Sequence, residues 1–186
     1  MFDQGGYYVG TVIIDERLYG IAMSPKDGAF EGEWGNYGNS IDATSIVDGH
    51  KNTLAMAEAG SVMAQAALSL SINGHSDWYI PARDELEPMY RSCKPGTNHN
   101  YCGFKDGENI STVPVGTAYA KVSPSQTLNS ALQTGAEDAL QETWYWSSTQ
   151  FSASDAFVQY FSDGNQINFI KDYQWRVRAV RRFLIN

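Results

Sequence analysis

The sequence predicts strands at both ends of the chain with helices between them, the order of elements typical of an α+β fold. Two β-rich runs joined by the polar pair Glu16-Arg17 predict a hairpin over residues 6–23. Runs 156–161 and 166–170 flank Asp163-Gly164-Asn165 and predict a second hairpin. Between the hairpins, residues 48–71 place apolar and small residues at helical spacing.

The predicted helices have recognisable start and stop signals. Asp48 and the polar residues after it can cap the first helix, and Asn73-Gly74 can end it in the left-handed conformation. Gly60-Ser61 either kinks this helix or divides it in two. A second helix follows Pro81, and the acidic residues of its first turn suit the positive end of the helix dipole, so we read them as structural rather than catalytic.

The length of 186 residues fits one domain spanning 1–186. Residues 24–41 read as a long ordered loop, and residues 94–142, rich in Asn, Gly, Ser, Thr and Pro, form a loop-rich insertion. A short helix is expected within this insertion, over 125–140. We also expect the insertion to carry contacts that differ between relatives.

Composition argues against several classes of function. The net charge of −8, from 13 basic and 21 acidic residues, disfavours nucleic-acid binding, which relies on Lys and Arg. No apolar run approaches the roughly 20 residues of a membrane span, so no membrane insertion is expected. Residues 1–6 lack the basic and apolar regions of a signal peptide.

The two cysteines and the motif content predict no catalysis and no cofactor. Cys93 and Cys102 are first interpreted as free thiols, with a loop-closing disulfide as the alternative for a protein that functions outside a cell. They lack the partners of a zinc site. Because the chain contains no Gly-x-Ser-x-Gly, P-loop or His-Glu-x-x-His pattern, we expect it not to be an enzyme.

Three motifs in order carry a family resemblance: Trp78-Tyr79-Ile80-Pro81-Ala82-Arg83-Asp84-Glu85-Leu86, Tyr145-Trp146-Ser147-Ser148-Thr149 and Val177-Arg178-Ala179-Val180-Arg181. On these segments the chain resembles the Lcl C-terminal domain family, whose members carry W-x-L-P-[ST]-x-x-E-L, Y-W-S-S-[ST] and V-R-x-V-R. With Asp48-Gly49-His50-Lys51-Asn52-Thr53 and Gln126-Thr127, it is similar to forms common in tailed bacteriophages and their prophages.

The resemblance implies an α+β, C-type-lectin-like fold, with two helices packed on a small twisted antiparallel sheet, long loop insertions, and adjacent first and last strands. It also implies binding through the exposed face of the late strands and their loops. Mapped by motif, the expected ligand contacts are Ser148, Thr149, Gln150, Ser152, Asp163, Asn165, Asn168, Lys171, Asp172, Tyr173 and Trp175. Trp146 is expected in the core, whereas core and surface both stay open for Tyr173 and Trp175.

Two departures from related families limit the implied chemistry. The Glu-Pro-Asn, Gln-Pro-Asp and Trp-Asn-Asp triplets of calcium-dependent lectins are absent, so no calcium is expected. Formylglycine-generating enzymes, which resemble this fold, need a cysteine pair in the late strands. Here both cysteines lie in or next to the insertion, so oxidase activity is not supported.

The predicted function is therefore that of a virion protein assembled in the host cytoplasm, a tail or fibre-tip module for host-surface recognition or docking. Its expected partners are other virion proteins, a host cell-surface glycan or protein, and further copies of itself, with a trimer as one arrangement. The alternatives are a capsid-decorating virion protein, a bacterial adhesin domain and, as the least favoured, a formylglycine-generating-enzyme-like oxidase.

Overall fold

The computed structural model describes residues 4–103 and 106–185, and within them the fold is α+β. The helices and strands are β1 (Tyr7–Ile14), β2 (Arg17–Met23), β3 (Ala29–Gly32), α1 (Gly49–Glu58), α2 (Val62–Leu68), α3 (Arg83–Cys93), β4 (Trp144–Gln150), β5 (Asp155–Tyr160), β6 (Gln166–Ile170), β7 (Trp175–Arg178) and β8 (Val180–Leu184). Both predicted hairpins are present, as β1–β2 and β5–β6.

The strands form two sheets rather than the single implied sheet. One has the order β1-β2-β8 and the other β3-β7-β4-β5-β6, antiparallel except for one parallel bridge between β4 and β7. Tyr79 and Val180 exchange two backbone hydrogen bonds of 2.8 and 2.9 Å. The amide of Ala179, between β7 and β8, donates to the carbonyl of Gly28 at 2.9 Å. The chain therefore passes from one sheet to the other at a bonded junction.

The implied adjacency of the first and last strands is wrong. β8 pairs with β2, from Met23 opposite Val180 to Tyr19 opposite Leu184. The outer edge of β1 is occupied instead by the insertion, because Ile13 donates its amide to the carbonyl of Ser111 at 2.8 Å. β2 has β1 along one edge, and β8 pairs along its other edge.

The first predicted helix is divided into α1 and α2 at Gly60-Ser61, so the structure has three α-helices in its described part rather than two. Gly60 has a φ of 94°, which no L-residue adopts without strain. The Ser61 hydroxyl accepts from the amide of Ala64 and donates to the carbonyl of Trp34 at 2.8 Å. This serine therefore caps α2 and fixes the preceding loop to it.

Helix α3 contains Pro88 and tolerates it through a side chain from the insertion. Proline cannot donate the amide hydrogen bond that the carbonyl four residues earlier would receive, here that of Asp84. Asn109 Nδ2 donates to this carbonyl at 2.8 Å. A side chain of the insertion thus supplies the hydrogen bond to the Asp84 carbonyl that Pro88 cannot donate.

The insertion contains no α-helix among its described residues, and the helix expected over 125–140 is wrong. Only a 3-10 turn forms there, at Ser130–Leu132. Thr127 donates its amide to the carbonyl of Lys94, and Gln133 donates its side-chain amide to the carbonyl of Thr127, each at 2.9 Å. These long-range and side-chain bonds hold the segment in a shape that local propensity does not indicate.

Two apolar clusters fill the interior. The first packs α3 between the two sheets, with Leu86, Met89 and Cys93 against β1 and β2. The second lies between α1, α2 and the five-stranded sheet and includes Trp34 and Trp146, both fully buried. Trp146 is therefore a core residue, as predicted.

Cys93 is buried and Cys102 is exposed, and both are free thiols. Over the described ranges, no helix combines the length and apolar character needed to cross a membrane.

Candidate functional site

Five aromatic rings contact one another beside the five-stranded sheet and are here called the aromatic platform: Trp144, Tyr160, Phe169, Tyr173 and Trp175. The Trp144 ring lies 4.8 Å from that of Tyr160 and 5.3 Å from that of Phe169. The Phe169 ring contacts Tyr173 at 5.4 Å and Trp175 at 5.7 Å. Each ring therefore touches at least one other, and Tyr173 is 45% exposed.

Strand register places the first three of these rings on one face. Trp144 lies opposite Tyr160, and Phe169 lies on the same face one strand away. One step along the same face, Trp146 and Val158 are buried in the cluster beneath α1 and α2. Trp144 and Tyr160 are half-buried, and Trp144, Phe169 and Trp175 pack against this cluster, so the platform is the partly covered margin of a core-forming face.

The rings of Tyr173 and Trp175 stack in parallel, 5.6 Å apart and 5° from coplanar. They lie at the turn before β7 and at its first residue. The Trp175 Nε1 donor is buried and has no hydrogen-bond acceptor in the described part of the chain. The stack thus combines two parallel ring faces with a buried indole N–H, that of Trp175, which lacks an acceptor in the described part of the chain.

Polar and charged side chains border the platform. Gln174 Nε2 donates to Glu33 Oε1 at 3.2 Å. This pair is exposed, so it contributes little to stability. Together with the exposed Asp172, it supplies hydrogen-bonding groups near the Tyr173 and Trp175 rings. Arg176, which pairs with Glu31 at 3.5 Å, lies on the opposite face of β7 from Trp175.

Of the predicted contact residues, the platform brings together Asp172, Tyr173 and Trp175. Sequence reasoning did not assign Trp144, Tyr160 or Phe169 to a ligand surface. Strand alternation in the second hairpin could have grouped Tyr160 with the face of Phe169, but which end of that face is uncovered depends on the helices.

Ser148 and Thr149 are buried, so the expectation that they lie on an exposed face is wrong. Thr149 Oγ1 donates to the carbonyl of Ser45 at 2.8 Å and accepts from the amide of Arg83 at 3.0 Å. Gln150 is half-buried and bonds through its amide to both backbone groups of Ile41. These residues are enclosed because β4 is a central strand, covered by the loop before α1 and by the start of α3.

Lys171 is also fully buried, against the expectation of exposure. Its Nζ donates to the carbonyls of Asn39 and Ala153 at 3.0 and 2.9 Å and to Gln150 Oε1 at 2.8 Å. The same ammonium lies 4.6 Å from the centre of the Trp34 ring. Burial lowers the pKa of Lys171 to about 8. The residue ties three loops together rather than reaching a ligand.

The remaining predicted contacts lie away from the platform, and several of them form hydrogen bonds within turns. Ser152 Oγ donates to Asp155 Oδ2 at 2.9 Å, and Asp163 Oδ1 accepts from the amide of Asn165 at 3.0 Å. Asn168 lies on the opposite face of β6 from Phe169, because neighbouring strand residues alternate. The predicted set is thus split between the platform, the interior and the second hairpin.

A buried carboxylate network lies where α1 and α3 begin. Glu85 accepts from the Tyr79 hydroxyl at 2.6 Å and from the amides of Gly49 and Ala82 at 3.0 and 2.9 Å. Burial raises the pKa of Glu85 to about 7, although the bonds from Tyr79 and Ala82 oppose the rise. All of its partners are framework groups, so the structural reading of this acid is the one that its contacts support.

Concave surfaces also lie elsewhere. A groove of about 430 Å³ runs between β1, α3 and residues 112–117, and a cleft of about 290 Å³ is lined by Arg83, Asp84, Glu87 and Asp106, among others. Within the described residues, no cluster of three or more His, Cys, Asp or Glu side chains could hold a metal ion.

No protein-family model matches the chain, and no curated protein matches it. Among solved structures, it is similar to a fimbrial protein from Bacteroides ovatus, with a TM-score of 0.46 and 13% sequence identity. The match covers 87% of this chain and 35% of the fimbrial chain, so the chain spans about a third of that protein's length.

Proposed function

We propose that this chain is a non-enzymatic recognition module that uses the aromatic platform to bind a glycan on a host cell surface. The observation that carries the proposal is the run of five contacting rings, of which Tyr173 is exposed and the other four are half-buried. Aromatic faces stack on the apolar faces of sugar rings, and Tyr and Trp provide rigid contact area at low entropic cost. The bordering Gln174 and Glu33 can bond to sugar hydroxyls.

The class of the module and its setting are part of this proposal. The three motifs that resemble the Lcl C-terminal domain family support a C-type-lectin-like module. The accompanying forms common in tailed bacteriophages support a place in the virion, at the tail or fibre tip. In that setting the platform would face the host, and other surfaces would contact neighbouring virion proteins. The proposed binding needs neither calcium nor another cofactor.

The binding part of the proposal is tested with Tyr173→Ala, which removes the exposed half of the stack. We expect affinity for host cells, and for their purified surface polysaccharide, to fall about tenfold, the usual scale of one stacked ring. Trp175→Ala should lower it further.

Tyr8→Ala is the matched control. Tyr8 is 55% exposed and belongs to the other sheet, where its ring contacts Phe183 and not the platform. Circular dichroism and the unfolding midpoint establish that each variant folds. Full affinity in folded Tyr173→Ala and Trp175→Ala variants would refute the platform as the contact surface.

The virion part of the proposal is tested on purified particles from the source. Mass spectrometry should find the chain in them, and electron microscopy should locate it at the tail or fibre tip. A position on the capsid would favour the decorating alternative. Absence from particles would exclude a virion role.

A further inference from the structure

Strand β6 is an edge strand that lacks the usual protection against pairing with another strand. Of the four edge strands in the described sheets, β3 carries Glu31, β8 carries Arg181 and Arg182, and β1 is covered by residues 111–113. β6 reads Gln-Ile-Asn-Phe-Ile, with neither a charge nor a proline. Edge strands commonly carry such residues because they discourage intermolecular pairing.

The hydrogen-bond pattern shows which groups of β6 face outward. The amide of Tyr160 donates to Asn165, and that of Lys171 donates to Ser154, so residues 165, 167, 169 and 171 bond toward β5 and its flanks. Because bonded and non-bonded pairs alternate in antiparallel strands, Gln166, Asn168 and Ile170 direct their backbone groups away from β5.

Two of these six outward groups have partners within the chain. The amide of Gln166 donates to Asp106 Oδ1 at 2.9 Å, and the carbonyl of Ile170 accepts from the amide of Tyr173 at 3.2 Å. In the ranges that the structure describes, the other four have no protein partner: the carbonyl of Gln166, both backbone groups of Asn168 and the amide of Ile170.

We propose that β6 pairs antiparallel with β6 of a second copy of this chain, with Asn168 on the two-fold axis. In this register Asn168 lies opposite Asn168, and Gln166 lies opposite Ile170. The two Asn168 residues exchange two hydrogen bonds, and the amide of each Ile170 donates to the carbonyl of Gln166 across the axis. The four groups without partners are therefore the four that this register uses.

The side chains suit the same register. Ile167 lies opposite Phe169 of the second copy, an aliphatic and aromatic pair of the kind that stabilises neighbouring strands. On the other face, Gln166 lies opposite Ile170, and Asn168 opposite itself. Ile167 and Ile170 are 36% and 40% exposed in the single chain and become covered. No like charges meet within the paired strands.

The pairing joins two five-stranded sheets into one of ten strands and places the two aromatic platforms on the same face of it. The contact is short, so we expect a dissociation constant of roughly micromolar size rather than an obligate dimer. The pairing does not depend on what the platform binds.

Analytical ultracentrifugation of the whole chain at about 100 μM, well above such a dissociation constant, tests the inference. We expect twice the chain mass of 20.6 kDa. Asn168→Pro should be monomeric and folded, because the amide that it removes faces away from β5. Asn168→Lys, which opposes two charges on the axis, should also be monomeric.

Cross-linking locates the contact in a Cys102→Ser background, where the buried Cys93 is the other thiol. Asn168→Cys should give a covalent dimer with a short thiol-specific bis-maleimide. Leu128→Cys, at a residue 98% exposed in the insertion, is the control and should give none.

A monomeric wild-type chain would overturn the inference. The unpaired backbone groups of β6 would then be available to a strand of a different protein. A dimer that persists in folded Asn168→Lys, or a trimer, would overturn it equally. Either result leaves the glycan-binding proposal standing, because that proposal is tested through Tyr173.

Discussion

Glu85 is a buried carboxylate that connects two helix starts. Its oxygens accept from Tyr79, from the first residue of α1 and from the residue before α3. With a pKa of about 7, Glu85 is protonated at pH 5, so a glutamine at this position differs from it by one additional N–H donor. Among the contacts of this side chain only the Tyr79 hydroxyl can accept, so the added donor costs about 1–3 kcal/mol. The contacts of Glu85 thus explain the presence of a glutamate at this position without a ligand.

The raised pKa of Glu85 makes stability depend on pH. The folded-state pKa of about 7 exceeds the ordinary value of 4.5. As pH rises from 4.5 to 7, the unfolded state releases this proton first, so the free energy of unfolding falls, by up to about 3 kcal/mol from this group. Urea unfolding at pH 5 and pH 8 should show the loss in the wild-type chain.

The matched variants isolate this effect. Glu85→Gln, which cannot titrate, should be less stable at pH 5 but should lack the Glu85 share of the fall. Glu58→Gln, at an exposed glutamate of α1, should keep it. An equal fall with pH in both variants would exclude Glu85 as its source.

Lys171 shows why individual site residues were misplaced from sequence. A lysine beside Asp172 in a turn is typical of solvent-exposed residues, and its burial depends on acceptors from Asn39, Gln150 and Ala153. Two of these acceptors, the carbonyls of Asn39 and Ala153, lie in loops whose path depends on the rest of the fold. Asp172 is exposed, as predicted, and Tyr173, for which core and surface both stayed open, is 45% exposed. Both residues follow the strand and are not enclosed by those loops.

Elements defined by local signals were predicted from sequence, and elements defined by distant partners were not. The hairpins at 7–23 and 155–170 follow from turn residues and β-rich runs. Strand β3 was missed inside the expected long loop, because it forms by pairing with β7 about 145 positions away. The segment before Pro81 contributes an isolated bridge between Tyr79 and Val180, which are about 100 positions apart.

The division between α1 and α2 depends on the backbone of Gly60. A Cβ there would meet no atom within 4 Å, so the positive φ is the main obstacle to substitution. We expect Gly60→Ala to lower the free energy of unfolding by about 1–2 kcal/mol through backbone strain, measured by urea unfolding.

Gly32→Ala is the control for this prediction, because its φ lies outside the left-handed region and its added Cβ would make an ordinary contact, 3.6 Å from Met63. A Gly60→Ala variant as stable as wild type would show that α1 can continue through this position.

We expect the two apolar clusters to unfold as one cooperative unit. The first includes Tyr145 and Phe161 from the five-stranded region together with β1 and β2, and the Tyr79–Val180 bonds join the sheets. In a Cys102→Ser background, the thiol reactivity of Cys93 reports on the first cluster, and tryptophan fluorescence reports largely on the second. We expect the two signals to change at the same urea concentration.

Reaction of Cys93 at a urea concentration that leaves the fluorescence unchanged would contradict this prediction. It would mean that α3 and the three-stranded sheet open before the rest. The Cys102→Ser chain without urea provides the baseline, since Cys93 is buried there and its pKa is raised to about 12 by burial.

The loop that covers β1 limits how large an assembly this chain can build. Residues 7–14 are as free of charge as β6, but the insertion bonds to them through Ser111 and through Val113, whose amide donates to Thr11 at 2.9 Å. Among the edge strands in the described ranges that no loop covers, β6 is the one without a charge, so the proposed pairing stops at two copies. Shortening the insertion at 111–113 would expose the edge of β1 as a second site for strand pairing, on the other sheet. Copies with two such edges could then assemble into an open-ended fibre. The segment at 111–113 would thus decide whether this chain forms a closed dimer or an open-ended fibre.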